Sequence, residues 1–162
     1  AVTLTFRGEG DPTAATVWGA NLLLALLLDL LAVGLIKGLV RRPRPVYNDS
    51  SDFLTVAFVD SFSFPSGHSS RMSMVASLAL MCTPLGISRQ AGLSVLTWAL
   101  LVAFSRVALG RHYASDVLAG LVLGIAVSGV VSQGSFSADG FLMTGQHVAA
   151  ARARIAALWA KL

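Results

Sequence analysis

Long apolar stretches constrain this chain more than any other feature of its sequence. Four of them cover residues 13–36, 67–82, 92–109 and 114–131. A helix that crosses a bilayer needs about 20 apolar residues, within a range of about 17 to 25, so the second stretch is at the short end. Backbone groups in lipid must be satisfied internally, and none of the stretches alternates as a strand does. The sequence therefore predicts an all-α, integral membrane helical bundle with about four transmembrane helices.

The composition points the same way. Charged residues make up 12% of the 162 residues, whereas a soluble domain carries roughly 25%. The net charge is +4, which is compatible with nucleic acid, anionic lipid or phosphate as a partner. Because no aromatic residues are interleaved with the basic ones, we expect membrane lipids and a phosphate group as partners, and no nucleic acid.

The chain divides into two parts at the end of the fourth stretch. We expect a membrane-embedded domain over residues 1–132, and a C-terminal loop with a short amphipathic tail over residues 133–162. The first residue is Ala1 rather than methionine, so we expect the domain to be N-terminally truncated. Asp29 interrupts the first stretch and should face the bundle interior or be protonated, because a carboxylate in lipid costs about 2.5 to 3.5 kcal/mol.

Residues that can bind a ligand or take part in catalysis gather on one side of such a bundle. They form three clusters: KGLVRRPRP at residues 37–45, PSGH at residues 65–68, and SRVALGRHYASD at residues 105–116. In the first and third clusters Lys37, Arg44 and Arg106 are cations at helix ends, where together they can neutralise a phosphate group. Arg41 and Arg42 are equally well explained as an anchor at the membrane surface.

The other polar residues of these clusters fit the same chemistry. Ser66 is a good N-cap, and the first turn of the helix after it favours an anion. Gly67 allows a ligand to approach the backbone closely. His112 and Asp116 are four residues apart, so that a carboxylate can fix the tautomer of an imidazole that attacks phosphorus. His68, from another helix, can protonate the leaving oxygen.

The three spacings together resemble the type 2 phosphatidic acid phosphatase (PAP2) superfamily. Its signature is Lys-x6-Arg-Pro, then Pro-Ser-Gly-His, then Ser-Arg-x5-His-x3-Asp. Every defined position is present here: Lys37 with Arg44-Pro45, Pro65 to His68, and Ser105-Arg106 with His112 and Asp116.

Residues around the motifs look similar to one group within that superfamily, the polyisoprenoid or presqualene diphosphate phosphatases of the endoplasmic reticulum. They include the segments NLLL at 21–24, KGLVRR at 37–42 and PVYN at 45–48. Pro43 departs from that group, in which another arginine is expected. The departure leaves Lys37 and Arg44 in register.

The resemblance implies a metal-independent lipid phosphatase without a cofactor. His112 would form a phosphohistidine and Asp116 would hold it, while His68 would act as the acid for the leaving group. The phosphate would be bound by Lys37, Arg44, Ser66, Gly67 and Arg106. The absence of a carboxylate cluster suited to magnesium agrees with this reading. By the resemblance to the polyisoprenoid group, diphosphates such as farnesyl, geranylgeranyl or presqualene diphosphate would be the preferred substrates.

Other functions compete with this one. Lipid monophosphates such as phosphatidate, lysophosphatidate or sphingosine phosphate are alternative substrates, and a non-catalytic membrane scaffold is an alternative of another class. A vanadate-dependent haloperoxidase would be soluble, and a transporter would need more polar groups at mid-membrane. Seven of the twelve Lys and Arg residues fall on the side of the motifs, which would make that side cytoplasmic, whereas the resemblance implies a lumenal site.

Overall fold

The computed structural model describes residues 12–46, 62–81 and 88–134. Over these ranges the chain forms four α-helices and no β-strand: α1 covers Pro12–Val40, α2 Gly67–Met81, α3 Arg89–Ala108 and α4 Ala114–Gly134. The predicted all-α architecture is confirmed. The division at residue 132 stays a prediction, because the proposed tail lies almost wholly outside the described residues.

Three of these helices are long and apolar enough to cross a membrane. Their mean hydropathies are 2.4 for Thr16–Val40, 1.6 for Arg89–Ala108 and 2.0 for Ala114–Ser132. Leucines on their outer faces, such as Leu27, Leu101 and Leu118, are more than half exposed, as side chains that contact lipid would be. The chain is an integral membrane protein.

The remaining helix, α2, lies at the centre of the bundle, in contact with α1, α3 and α4. It has 15 residues and is therefore about 22 Å long at about 1.5 Å per residue, shorter than the roughly 30 Å of a bilayer core. Its neighbours shield it from lipid, which explains how a helix this rich in serine is accommodated. The apolar core joins α2 to α1 and α4 through Ala25, Met74, Leu78, Val127 and Val131.

Two glycines allow α4 to approach α2 unusually closely. A Cβ atom at Gly120 would lie 2.4 Å from the carbonyl oxygen of Ser66, and one at Gly124 would lie 2.0 Å from that of Ser70. The spacing of four residues is the small-xxx-small pattern by which membrane helices bring their backbones together. Ser73 adds a hydrogen bond from its hydroxyl to the carbonyl of Leu121 at 2.9 Å. This contact fixes the start of α2 against the start of α4.

We expect Gly124→Ala to destabilise the bundle by about 1 to 3 kcal/mol, the usual cost of overpacking. The added methyl group would overlap the α2 backbone, so the two helices would have to separate. Gly129→Ala is the matched control, because a Cβ atom there meets nothing within 4 Å. Thermal unfolding of the detergent-purified variants measures both effects. Equal changes in Tm at the two positions would contradict a tight contact at Gly124.

Asp29 is fully buried in the bundle, as its position in an apolar stretch predicts. Its carboxylate accepts a hydrogen bond from the hydroxyl of Ser70. Its other oxygen lies 3.2 Å from Nη2 of Arg71, an ion pair by distance that lacks hydrogen-bond geometry. Both partners belong to α2, so this cluster ties α1 to the central helix.

Candidate active site

The three sequence clusters meet at one end of the bundle. They lie in, and in the helix ends next to, the segment after α1 (residues 41–46), the segment before α2 (residues 62–66) and the link between α3 and α4 (residues 109–113). The backbone N–H of Ser63 donates to the carbonyl of Arg42 at 2.9 Å, and that of Ser66 donates to the carbonyl of Asp116 at 2.9 Å. Nη1 of Arg44 donates to the carbonyl of Arg111 at 3.2 Å. Segments far apart in sequence are therefore joined directly.

His112 is held in one tautomer by the backbone. Its side chain is 4% exposed, and its Nδ1 lies 2.8 Å from the carbonyl oxygen of Ser63. A carbonyl oxygen only accepts hydrogen bonds, so Nδ1 carries the proton. Nε2 is then left with its lone pair, which is the form that a nucleophile or a base requires.

The pKa of His112 is lowered from 6.5 to about 4. Burial is the largest cause, because it disfavours the charged imidazolium. The hydrogen bond to Ser63 opposes this effect, the positive charges of Arg44 and Lys37 reinforce it, and the negative charge of Asp116 opposes it. The imidazole is therefore neutral at physiological pH, and two of the predicted phosphate ligands lie close enough for their charges to act on it.

Asp116 lies beside His112, but its carboxylate oxygens accept hydrogen bonds from other groups. Its Oδ2 is 3.8 Å from Nδ1 of His112 and accepts a hydrogen bond from the backbone N–H of Tyr113 at 3.0 Å. Its Oδ1 accepts from Nη1 of Arg42 at 2.8 Å. The contact with Tyr113 caps the first turn of α4, as in a capping box. The hydrogen bond to the imidazole, which the sequence analysis assigned to Asp116, is thus made in this structure by Ser63.

The end of α3 positions the backbone of His112. Gly110 adopts φ 68°, the left-handed conformation in which glycine commonly ends helices. The carbonyl of Arg106 then accepts hydrogen bonds from the N–H groups of Arg111 at 3.1 Å and His112 at 3.2 Å. The side chain of Arg106 is half-buried and its Nε donates to the hydroxyl of Ser105 at 3.4 Å.

The start of α2 carries the second cluster. Ser66 is fully buried and occupies the predicted N-cap position, where its hydroxyl oxygen accepts from the N–H of Ser69 at 3.4 Å. Gly67 follows at a close approach to α1, since a Cβ atom there would lie 3.3 Å from Cγ1 of Val33. His68 is exposed on the first turn.

The first cluster supplies Lys37 and Arg44, the two cations whose charges lower the pKa of His112. Lys37, in the last turn of α1, is only 6% exposed, and Arg44 is half-buried. An apolar groove of about 420 Å³ runs from Lys37 down the outer face of α1. It is lined by Leu27, Leu30, Leu31, Gly34, Leu35, Lys37 and Phe62.

Two residues of the site were missed by the sequence analysis in different ways. Ser63 contributes a carbonyl oxygen, a group that every residue has, so no sequence signal reveals it. Arg42 was read as equally well explained by a membrane-surface anchor, yet its side chain binds Asp116. The four-residue spacing of Gly120 and Gly124 is a sequence signal that could have predicted the close packing of α4 against α2.

Comparison with known proteins places the chain in a family context. The pattern of the PAP2 superfamily matches residues 18–138. "Probable lipid phosphate phosphatase beta" of Arabidopsis thaliana is 38% identical over 126 residues, which cover 64% of this chain and 59% of that protein. "Phosphatidylglycerophosphatase B" of Bacillus subtilis (strain 168) is 33% identical over 113 residues, 66% of this chain and 53% of that protein. The chain thus spans little more than half the length of these relatives. No solved structure matches it significantly.

Proposed function

Because the chain belongs to the PAP2 superfamily, we propose that it hydrolyses lipid phosphates without a metal ion, through a phosphohistidine formed on His112. The observation that carries this proposal is the state of His112. The ring is neutral, Nδ1 is fixed by a backbone carbonyl at 2.8 Å, and Nε2 retains its lone pair. An oriented, neutral imidazole among cations is what an attack on a phosphate group requires.

The reaction proceeds in two steps. Nε2 of His112 attacks phosphorus, the bond from phosphorus to the leaving oxygen breaks, and His68 gives a proton to that oxygen. A water molecule then attacks the phosphohistidine, His68 accepts its proton, and inorganic phosphate departs as the N–P bond breaks. The exposure of His68 on the first turn of α2 suits a residue that exchanges protons with the leaving group and with water.

The phosphate oxygens are held by charge and by the end of α2. Lys37, Arg44 and Arg106 supply positive charge, which offsets the negative charge that accumulates in the transition state. Ser66 and Gly67 add the polar start of a helix, where N–H groups face an anion. The effect of Arg44 and Lys37 on the pKa of His112 supports their closeness to the reacting atoms.

The apolar groove beside Lys37 supports a lipid as the substrate. It lies on the face of a membrane-spanning helix and ends at a buried cation. A lipid placed there has its hydrocarbon chain against leucines and its phosphate at Lys37. In this arrangement the apolar chain of the substrate does not have to pass through water. We therefore assign the groove to the tail of the substrate.

Two classes of lipid compete for the site. Polyisoprenoid diphosphates are favoured by the segments at 21–24, 37–42 and 45–48, which resemble the phosphatases of the endoplasmic reticulum that act on them. Lipid monophosphates are favoured by the names of the two relatives, one of which is a lipid phosphate phosphatase and the other a phosphatidylglycerophosphatase. We propose polyisoprenoid diphosphates as the substrates. With them we propose an active site on the lumenal side of the endoplasmic reticulum membrane.

One assay tests the activity, the substrate and the orientation. Phosphate release is measured from farnesyl diphosphate, phosphatidate and sphingosine phosphate with EDTA present, in sealed microsomes of an expressing yeast strain and again after detergent. We expect release above the vector control, the highest kcat/KM for farnesyl diphosphate, and activity towards this soluble substrate that appears only when detergent opens the vesicles.

Each part of the result is decisive for one part of the proposal. Release that EDTA abolishes would argue against a metal-independent reaction. A higher kcat/KM for phosphatidate or sphingosine phosphate would replace the diphosphate substrate by the monophosphate class. Full activity in sealed vesicles would move the site to the cytoplasmic side. No release from any of the three lipids would favour a non-catalytic membrane scaffold.

A further inference from the structure

Arg42 contacts three residues of the first turn of α4 or its cap. Its Nη1 donates to Oδ1 of Asp116 at 2.8 Å and to the hydroxyl of Ser115 at 2.8 Å. The guanidinium carbon lies 4.2 Å from the centroid of the Tyr113 ring, a cation–π distance. The Asp116 side chain is fully buried, whereas that of Arg42 is 36% exposed. Arg42 therefore compensates a buried charge from the edge of the site.

The backbone of the same residue supports the other side of His112. The carbonyl of Arg42 accepts from the N–H of Ser63 at 2.9 Å and from its hydroxyl at 3.3 Å. That hydroxyl also reaches the carbonyl of Pro43 at 3.0 Å. Ser63 in turn presents the carbonyl that holds Nδ1 of His112. The backbone of Arg42 thus orients the hydrogen-bond acceptor of the imidazole, while its side chain fixes the carboxylate beside it.

We propose that Arg42 is a positioning residue that clamps the two supports of His112, Ser63 and Asp116, and that it does not bind the phosphate. This inference rests on the proposed function for its kinetic consequences. The geometry favours it over a role as a phosphate ligand, because Nη1 is already committed to Asp116 and Ser115, and the guanidinium plane lies over Tyr113. A membrane-surface anchor would not need an ion pair with the fully buried Asp116.

The clamp needs the shape of arginine as well as its charge. One nitrogen serves two acceptors while the flat group stacks on an aromatic ring, and an ammonium group does not reproduce this geometry. Arg42→Lys is therefore expected to behave like Arg42→Gln rather than to rescue it. Arg41→Gln is the matched control in the same segment, since among the described residues the Nε of Arg41 donates to a nearby backbone group, the carbonyl of Gly38 at 2.9 Å.

Kinetics separate positioning from phosphate binding. We expect Arg42→Gln and Arg42→Lys to lower kcat about 10- to 100-fold, the size of effect that misplacement by about 1 Å produces. KM and the affinity for inorganic phosphate, measured by titration calorimetry on the purified protein, should stay close to those of wild type. Weaker phosphate binding or a raised KM with unchanged kcat would make Arg42 a ligand and overturn the proposal.

A double-mutant cycle tests the route through Asp116. If Arg42 acts through the carboxylate, Arg42→Gln will lower kcat much less in an Asp116→Asn background than in wild type. The same non-additivity is expected in Tm, which is measured without substrate. Additive losses in kcat and Tm would overturn the clamp. If wild type releases no phosphate from any lipid, the proposed function fails, and additive or non-additive changes in Tm alone then decide whether the clamp exists.

Discussion

His112→Ala is expected to lower kcat by roughly 10⁴-fold or more, the scale on which loss of a nucleophile acts in enzymes with covalent intermediates. The reason is specific to this site. Nε2 of His112 is the atom that the hydrogen bond from Nδ1 to Ser63 leaves unprotonated, and alanine removes it altogether. Substrate affinity should change little, because the cations that hold the phosphate remain in place.

The phosphoenzyme gives the direct measurement. Brief reaction with ³²P-labelled substrate, quenched at alkaline pH to preserve an N–P bond, should label wild type and not His112→Ala. The chain contains three histidines, and His147→Ala serves as the control because no role in the reaction is assigned to it. Labelling that persists in His112→Ala, or that disappears in His147→Ala, would contradict the assignment of the nucleophile.

The helices of this fold were readable from the sequence for a physical reason. In lipid, each long apolar stretch must satisfy its backbone hydrogen bonds within itself. Stretches rich in Leu, Val and Ala therefore form helices at the positions that the sequence predicts. The second stretch shows the limit of this rule. Its described helix is 15 residues long and is shielded by its neighbours, so its length follows from the packing of the bundle rather than from the thickness of a bilayer.

Less of the candidate site than of the fold could be predicted from the sequence. The spacings of Lys37, Arg44, His112 and Asp116 along the chain can be read directly from the sequence. The structure brings these residues to one end of the bundle. The partners of their side chains depend on contacts across 49 residues for Ser63 with His112 and 74 for Arg42 with Asp116. No local pattern encodes such pairs. The sequence therefore predicted the chemical groups, whereas the acceptor that selects the tautomer of His112 required the fold.

The second large effect is expected at Arg44, which is assigned both to bind phosphate and to depress the pKa of His112. Arg44→Gln should lower kcat/KM by about 10² to 10³-fold, the cost of removing one group that stabilises a developing oxyanion. It should also move the acid limb of the pH profile. Burial is the main reason why the pKa of His112 is about 4 rather than 6.5, and the positive charge of Arg44 lowers it further. Loss of that charge therefore raises the pKa.

The sign of this shift distinguishes electrostatic tuning from a simple loss of binding. Only the neutral imidazole of His112 attacks phosphorus, so kcat/KM falls as the pH drops below the pKa of His112 in the free enzyme. This fall is expected near pH 4 for wild type and at a higher pH for Arg44→Gln. Arg41→Gln removes the same charge from an exposed side chain three residues earlier and should keep the wild-type limb. Because all proteins are assayed on one substrate, ionisation of its phosphate shifts every profile equally. Coincident limbs for the two variants would mean that the charge of Arg44 does not contribute to the pKa of His112.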